Sequence, residues 1–347
     1  MTVNIRMWGK ALRIIPRIEK AEFDKLDPVA RWLIATRGAV LIMTFFSALI
    51  GGLFAMLAGP IDVGLWALVA LGLVLAHGAS NLFNDYWDAK LGVDEGNYFR
   101  LQYGPHPLLS GLFSEKQLLA WATGTAAIAG AIGAYLMYRS GWEVAVFAVL
   151  GGLIMFMYAG KPLPLKQYGL GEPAVFVAWG PLMIGGTYFV LTRTLPWPVL
   201  LATLPYALGV TLVLFGKHID KIEADTKKNI RTVPVLLGES RARKVSLGLM
   251  VSTYVFAIGL TLIGYYAVTM LLVLLALPKA RDFIRAFSKP RPESPPPGYP
   301  HEYWPVWFVG IAFVHNRAFG GLFLMALVID IVLRAFSISA TLPRLFF

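Results

Sequence analysis

The chain is predicted to be an all-α protein that crosses a membrane many times, and three observations carry that reading. Apolar stretches of about 20 residues recur along almost the whole chain. Only 15% of its 347 residues are charged and 57% are hydrophobic, giving a mean hydropathy of +0.64, where a soluble chain carries about a quarter charged residues. The Lys and Arg residues collect in every second connection between the stretches rather than spreading evenly.

Nine spans are expected, at about 36–59, 63–87, 117–137, 141–160, 171–192, 196–218, 244–264, 266–287 and 303–335. The last is too long for one straight span, and His315-Asn316-Arg317 is expected to divide it into an interfacial piece and a span from Ala318. Basic residues fill the segment before the first span (Arg6 to Arg37) and the connections after the second, fourth, sixth and eighth. Only Arg139, Arg193, Arg317, Arg334 and Arg344 fall elsewhere. This is the positive-inside pattern, with the N-terminus cytoplasmic. It also explains the net charge of +11 as topology, so no nucleic-acid partner is expected.

Residues 1–35 read as an amphipathic cytoplasmic segment, with Trp8, Leu12, Ile14, Ile15 and Ile18 available for lipid. Residues 36–338 read as one transmembrane domain around a central cavity open to the cytoplasm. Within it, the proline-rich stretch KPRPESPPPGY at 289–299 excludes helix and marks a cytoplasmic loop at 289–302. No signal peptide is expected at the N-terminus. With no cysteine in the chain, thiolate chemistry and Cys-ligated metals are excluded.

Two acidic clusters carry the chemistry. The first, NLFNDYWD from Asn81 to Asp88, ends the second span. On a helix Asn81, Asp85 and Asp88 lie within about 60° of one another. Carboxylates at a membrane helix end need a partner, and a hard divalent cation shared with a phosphate is the natural one. The second cluster, KHIDKIEAD from Lys217 to Asp225, ends the sixth span and interleaves acids with bases. Taken alone it reads equally as salt bridging at a helix end or as a second metal cluster with cationic clamps. Two such clusters facing one side are what a diphosphate bridged by cations needs. A transporter would instead place ionisable groups near the bilayer midplane.

At this point the sequence resembles the UbiA superfamily of intramembrane prenyltransferases. NLFNDYWD, with Asn84 beside Asp85, is similar to its first aspartate motif, and HPLLSG (His106 to Ser110 and Gly111) to an R-P-L-x-S-G segment. YAGKPLPLK (Tyr158, Lys161 and Lys166) is similar to its loop after span four, and TVPVLLG from Thr232 to the segment closing its second motif. Gly169 to Val190 most resembles the 1,4-dihydroxy-2-naphthoate (menaquinone) branch.

The resemblance implies Mg²⁺-dependent transfer, with Mn²⁺ as a possible substitute, of a prenyl group from a polyprenyl diphosphate to an aromatic quinone precursor. Hydroxybenzoate, tetrapyrrole, glycerol phospholipid headgroup and polyprenyl-phosphate/phosphoribosyl chemistry stay open as alternatives. It implies metal ligation by Asn81, Asp85, Asp88 and Asp225, and diphosphate contacts from Arg100, Lys161, Lys166 and Arg231, with Asn84, His106 and Ser110 nearby. Tyr158, Trp87 and Tyr86 are candidates to stabilise an allylic cation.

The second motif departs from the family pattern. Relatives carry two aspartates four apart, but here Lys221 stands four before Asp225, and Asp220 comes one residue early. Asp220 and Asp225 differ by about 140° on a helix. If the helix opens near Gly216–His218, Asp220 turns inward as a ligand with Glu223. If it continues, Lys221 becomes a diphosphate clamp. The ligand arrangement is preferred here, because Asp225 and Glu223 alone make a thin metal site.

Overall fold

The computed structural model describes residues 3–94, 96, 104–160, 162–299 and 301–342. It is helical throughout, and no strand occurs among the described residues. The N-terminal segment holds α1 (Ile5–Arg13), α2 (Lys20–Phe23) and α3 (Pro28–Ala35). The bundle follows with α4 (Gly38–Ala58), α5 (Val63–Lys90), α6 (Glu115–Ser140), α7 (Val144–Met157) and α8 (Gly171–Thr192). It continues with α9 (Trp197–Asp220), two short helices α10 (Ile222–Lys227) and α11 (Val233–Leu237), and then α12 (Glu239–Leu262), α13 (Leu277–Phe287) and α14 (Phe308–Ala335).

Seven helices among the described residues are long and apolar enough to cross a membrane: α4, α5, α6, α8, α9, α12 and α14. The other two expected spans take different forms. The fourth is α7, apolar but only 14 residues long. The eighth starts as a 3₁₀ helix, Val268–Ala276, that runs into α13. Exposed Val146, Val149, Leu153 and Phe156 on α7, and Val251 and Val255 on α12, suit helices whose solvent on that side is lipid.

The last span is not divided. α14 is one helix from Phe308 to Ala335, because His315 and Asn316 turn into the bundle and not into solvent. His315 Nε2 lies 3.0 Å from the Tyr254 hydroxyl on α12. A polar pair inside a bundle acts as interhelical glue and gives the helix no reason to break. The proline-rich stretch at 289–299 lies in a non-helical connection, as its residues require.

The N-terminal segment also differs from expectation. Trp8 does not face lipid. Its indole N–H donates to Asp27 at 2.9 Å, and the same carboxylate accepts from the backbone of Asn4 and Ala30. Asp27 thus N-caps α3, whose first residue is Pro28, and clamps α1 onto it. Trp8 and Ile18 pack with Phe23, Leu33, Leu82 and Phe113 in a small core against the ends of α5 and α6. Leu12 and Ile14 do remain exposed.

Close backbone approach sets the bundle's spacing. At Gly52 on α4 a Cβ would stand 2.0 Å from the Trp66 indole of α5, and the Trp66 N–H reaches the Ala48 carbonyl. α8 widens into π-helical turns at Ala178–Gly185, around Pro181, which has no N–H to continue an α ladder. The Trp179 carbonyl in that stretch accepts from the Ser47 hydroxyl of α4 at 3.0 Å. The main core joins α4, α8, α9, α12, α13 and α14 around Tyr206, Phe283, Phe319 and Phe323.

Candidate active site

The two acidic motifs meet at one end of the bundle. On α5, Asp85 and Asp88 are buried, on the side of the helix that packs inward. Each has a cationic partner from another element. Arg37 Nη2 lies 3.1 Å from Asp85 Oδ1, and Lys166 Nζ lies 2.7 Å from both oxygens of Asp88.

Local structure explains how those cations arrive. Arg37 links α3 to α4 in the left-handed region, φ 59°, an uncommon conformation for a residue with a side chain. That turn aims the guanidinium along α5, where it also meets the Asn81 carbonyl at 3.3 Å. Lys166 sits on a 3₁₀ turn, Leu165–Tyr168, whose backbone is tied to Tyr158 by the Lys166 N–H at 3.0 Å. Burial works against the Lys166 ammonium, but Asp88, Asp94 and Asp225 outweigh it and hold its pKa above the ordinary lysine value.

The amides have separate jobs. The Asn81 amide N–H donates to the Thr36 carbonyl at 2.8 Å, which secures the end of α3. Asn84 donates to Asp88 Oδ2 at 3.0 Å, and its own Oδ1 is buried without a hydrogen-bond partner among the described residues.

Asp94 belongs here too, and sequence reasoning missed it. It is buried, and a ligand atom from each of Asp85, Asp94 and His106 falls within 4.8 Å of the others. His106 cannot be the nitrogen ligand of such a site as it stands. Its Nδ1 accepts the backbone N–H groups of Leu108 and Leu109 at 3.2 and 3.3 Å, so the ring proton sits on Nε2. That nitrogen faces Asp94 Oδ2 at 3.3 Å. Ser110 is exposed, and its hydroxyl accepts from the His106 N–H at 3.2 Å, bracing the loop.

The second motif requires a correction. α9 does not open at Gly216–His218; it runs regularly to Asp220 and ends at Lys221. Gly216 is there for another reason, since a Cβ would come within 2.8 Å of the Phe308 backbone on α14. That close approach puts the start of α14 against Asp220. Its carboxylate accepts the backbone N–H groups of Trp307, Phe308 and Val309 at 3.1, 3.0 and 3.0 Å. Asp220 is therefore the N-terminal anchor of α14, not a metal ligand. Glu223 is exposed and joins it only in lining a separate cavity beneath the proline-rich connection.

Lys221 and Asp225 turn inward instead. Both are buried, with Nζ 3.4 Å from Oδ1. The Asp225 field reaches Lys166, which ties the second motif to the first. Lys228, in the flank of the second motif, reaches across to the Gly92 carbonyl after α5 at 2.6 Å. Arg231 is exposed, and its backbone N–H donates to the Gln167 carbonyl of the neighbouring turn. Tyr158 lies half-buried against Gly171. Trp87 and Tyr86 pack edge to face, with the Trp87 N–H buried and unpartnered among the described residues. Arg100 and Lys161 lie outside the described residues. A buried pair, His218 Nδ1 to Glu172 Oε1 at 2.6 Å, joins α9 to α8 behind the cluster.

A model of the UbiA prenyltransferase family matches residues 44–295. The chain belongs to that family. This UbiA-family prenyltransferase is 26% identical over 252 residues to the 1,4-dihydroxy-2-naphthoate octaprenyltransferase of Bacillus subtilis (strain 168), covering 73% of this chain and 80% of that one. It is also 26% identical over 250 residues to the 2-carboxy-1,4-naphthoquinone phytyltransferase of Synechocystis, covering 71% and 77%. Its fold is similar to a UbiA homologue from Archaeoglobus fulgidus whose structure holds GPP and Mg²⁺, with a TM-score of 0.57 at 14% identity, over 86% of this chain and 99% of that one. The chain is an integral, multi-pass membrane enzyme.

Proposed function

We propose that this prenyltransferase moves the prenyl group of a polyprenyl diphosphate onto a naphthoate-type aromatic acceptor, with a divalent cation at Asp85, Asp88 and Asp225. One observation carries the reading. Three buried carboxylates at one end of the bundle are each matched by a cation, as Asp85–Arg37, Asp88–Lys166 and Asp225–Lys221. Such a site accommodates both signs. Its acids suit a metal, and its Arg and Lys groups suit phosphate oxygens.

The residues fit a hard divalent cation. Every candidate ligand is an oxygen, from Asp85, Asp88, Asp94, Asp225 or the buried Asn84 Oδ1. Bound there, the cation would neutralise the charge that develops on a diphosphate leaving group. Lys166, Lys221 and Arg37 would hold the phosphate oxygens and keep the departing group oriented. Tyr158 and Trp87, which pack close to Gly171 and Gly160 on either side of the turn that carries Lys166, are the aromatic candidates to face positive charge on the allylic carbon.

The naphthoate acceptor is favoured by the two relatives above and by the stretch Gly169 to Val190. On the same reading the carboxylate end faces the cytoplasm with the N-terminus, and residues 1–35 lie against the body of the 36–338 transferase domain. The test is direct. Purified enzyme with Mg²⁺ is given labelled prenyl diphosphates and a panel of naphthoate and hydroxybenzoate acceptors, and products are identified by mass. Prenylated naphthoate is expected, and excess chelator should abolish it. Product only on hydroxybenzoate would overturn the acceptor, and full turnover in chelator would overturn the metal.

A further inference from the structure

The last turn of α9 sends its side chains in three directions. Gly216 and Asp220 face α14: a Cβ on the first would meet the Phe308 backbone at 2.8 Å, and the second holds the N–H groups of Trp307, Phe308 and Val309. His218 faces α8, with Nδ1 2.6 Å from Glu172 Oε1. Measured from Lys217 at 100° per residue, Asp220 lies about 60° to one side and His218 about 100° to the other. Lys217 falls in the sector between them and shares it with Lys221, about 40° away.

That sector looks onto the first motif. The charges that act most strongly on Lys217 are those of Arg37, Lys221 and Lys166, with Asp88 the acid among them, and the side chain is half-buried. Lys217 stands one turn before Lys221, about 6 Å further into the bundle. The site therefore carries cations at two depths. Lys166 and Lys221 pair with Asp88 and Asp225, where the metal and the diphosphate are placed above. Lys217 lies deeper, on the side toward which a prenyl group projects from its diphosphate.

Cations gathered in a partly buried site favour an anion, and the depth of Lys217 says which one. An aromatic acceptor has to meet the prenyl group at the carbon that leaves the diphosphate, on its inner side. In 1,4-dihydroxy-2-naphthoate, the acceptor named for the Bacillus subtilis relative, the carboxylate stands on the same ring as both hydroxyls. An ammonium one turn beyond the diphosphate clamp suits that group by a charge-assisted hydrogen bond.

We propose that Lys217 binds the carboxylate of the aromatic acceptor and makes the site select acidic acceptors over neutral ones. The assignment rests on the naphthoate reading above and adds the residue that recognises the acid.

The test is calorimetric binding, in detergent with Mg²⁺, of 1-hydroxy-2-naphthoate, of its neutral amide 1-hydroxy-2-naphthamide, and of geranyl diphosphate. Wild type is compared with Lys217→Gln and Lys217→Arg. Wild type is expected to bind the acid at least about tenfold tighter than the amide. Lys217→Gln should weaken the acid about 10- to 100-fold and leave the amide within about twofold, which erases the preference. Lys217→Arg should retain most of it, because the charge stays. Geranyl diphosphate should bind each variant within about twofold of wild type. Gel filtration and melting temperature establish folding, and Lys217→Met, which keeps the apolar stem, takes the place of glutamine if that variant does not fold.

Equal binding of acid and amide by wild type, or equal loss of both in Lys217→Gln, would reduce Lys217 to a packing role. A larger loss for geranyl diphosphate than for the acid would make it a diphosphate contact. Either result overturns the proposal and leaves the naphthoate reading standing. Wild type that binds geranyl diphosphate but neither naphthalene ligand would instead sink the naphthoate reading, and this assignment with it.

Discussion

Replacing Asp220 separates an anchor from a metal ligand. In the structure its carboxylate, fully buried, accepts three backbone N–H groups at the start of α14. Hydrogen bonds to a charged group contribute about 1.5–3 kcal/mol each, and an anion at a helix N-terminus adds up to about 2 kcal/mol. Burying the carboxylate offsets several kcal/mol of this. Asp220→Ala, which leaves the three donors unanswered, should therefore cost about 3–5 kcal/mol. Asp220→Asn keeps one acceptor oxygen and should cost roughly half that. In detergent the alanine variant's melting temperature should fall on the order of 5–15 °C. Turnover measured well below the transition, and its Mg²⁺ dependence, should stay close to wild type. An unchanged melting temperature with a turnover defect relieved by more Mg²⁺ would refute the anchor and restore Asp220 to the metal site.

Three further outcomes are expected. Lys221→Ala should lower kcat/KM for the prenyl diphosphate about 10- to 100-fold, as for loss of one charge-assisted contact, whereas a purely structural lysine would move the melting temperature instead. Asp88→Asn should lose turnover at least about 100-fold while remaining folded, since an amide oxygen can still accept from Lys166; near-normal turnover would remove Asp88 from the metal site. Single cysteines introduced into this cysteine-free chain should react with an impermeant reagent from opposite sides at Pro296 and at Tyr138, and same-side labelling would overturn the proposed orientation.

What the sequence reveals of the site follows the range of the forces involved. Asp85 and Asp88 are legible because three residues on one helix share a face whatever surrounds them. The break expected at His315 fails because polarity alone does not say whether a side chain meets water or Tyr254. Asp220 fails for the same reason at longer range, since its partners are 87 to 89 residues away. Arg37 looks like one basic residue among many before the first span, and only its left-handed turn sends it to Asp85. Asp94 had a local signal, an acid six residues beyond Asp88 in the same motif region. It is buried beside His106, which arrives from the following loop.

The displaced second motif gains a physical meaning from this. A regular helix that ends at Lys221 can turn either Asp220 or Lys221 toward the first motif, but not both, because neighbouring residues differ by about 100°. Anchoring α14 takes Asp220 outward and leaves Lys221 and Asp225 facing in. The two halves of the site are then unlike. α5 and the turn after it bring the buried carboxylates Asp85, Asp88 and Asp94, while the second motif brings one buried acid and one buried cation. On the proposed reading, metal charge gathers on the α5 side and phosphate oxygens reach toward Lys221 and Lys166. The leaving group would then be held between unlike walls, so that one lysine would supply part of the neutralising charge that a metal held by a second acid would bring. Lys221→Asp tests this: it restores the four-residue acid spacing, and should raise the Mg²⁺ requirement for activity, where an ordinary salt-bridge lysine would leave that requirement unchanged.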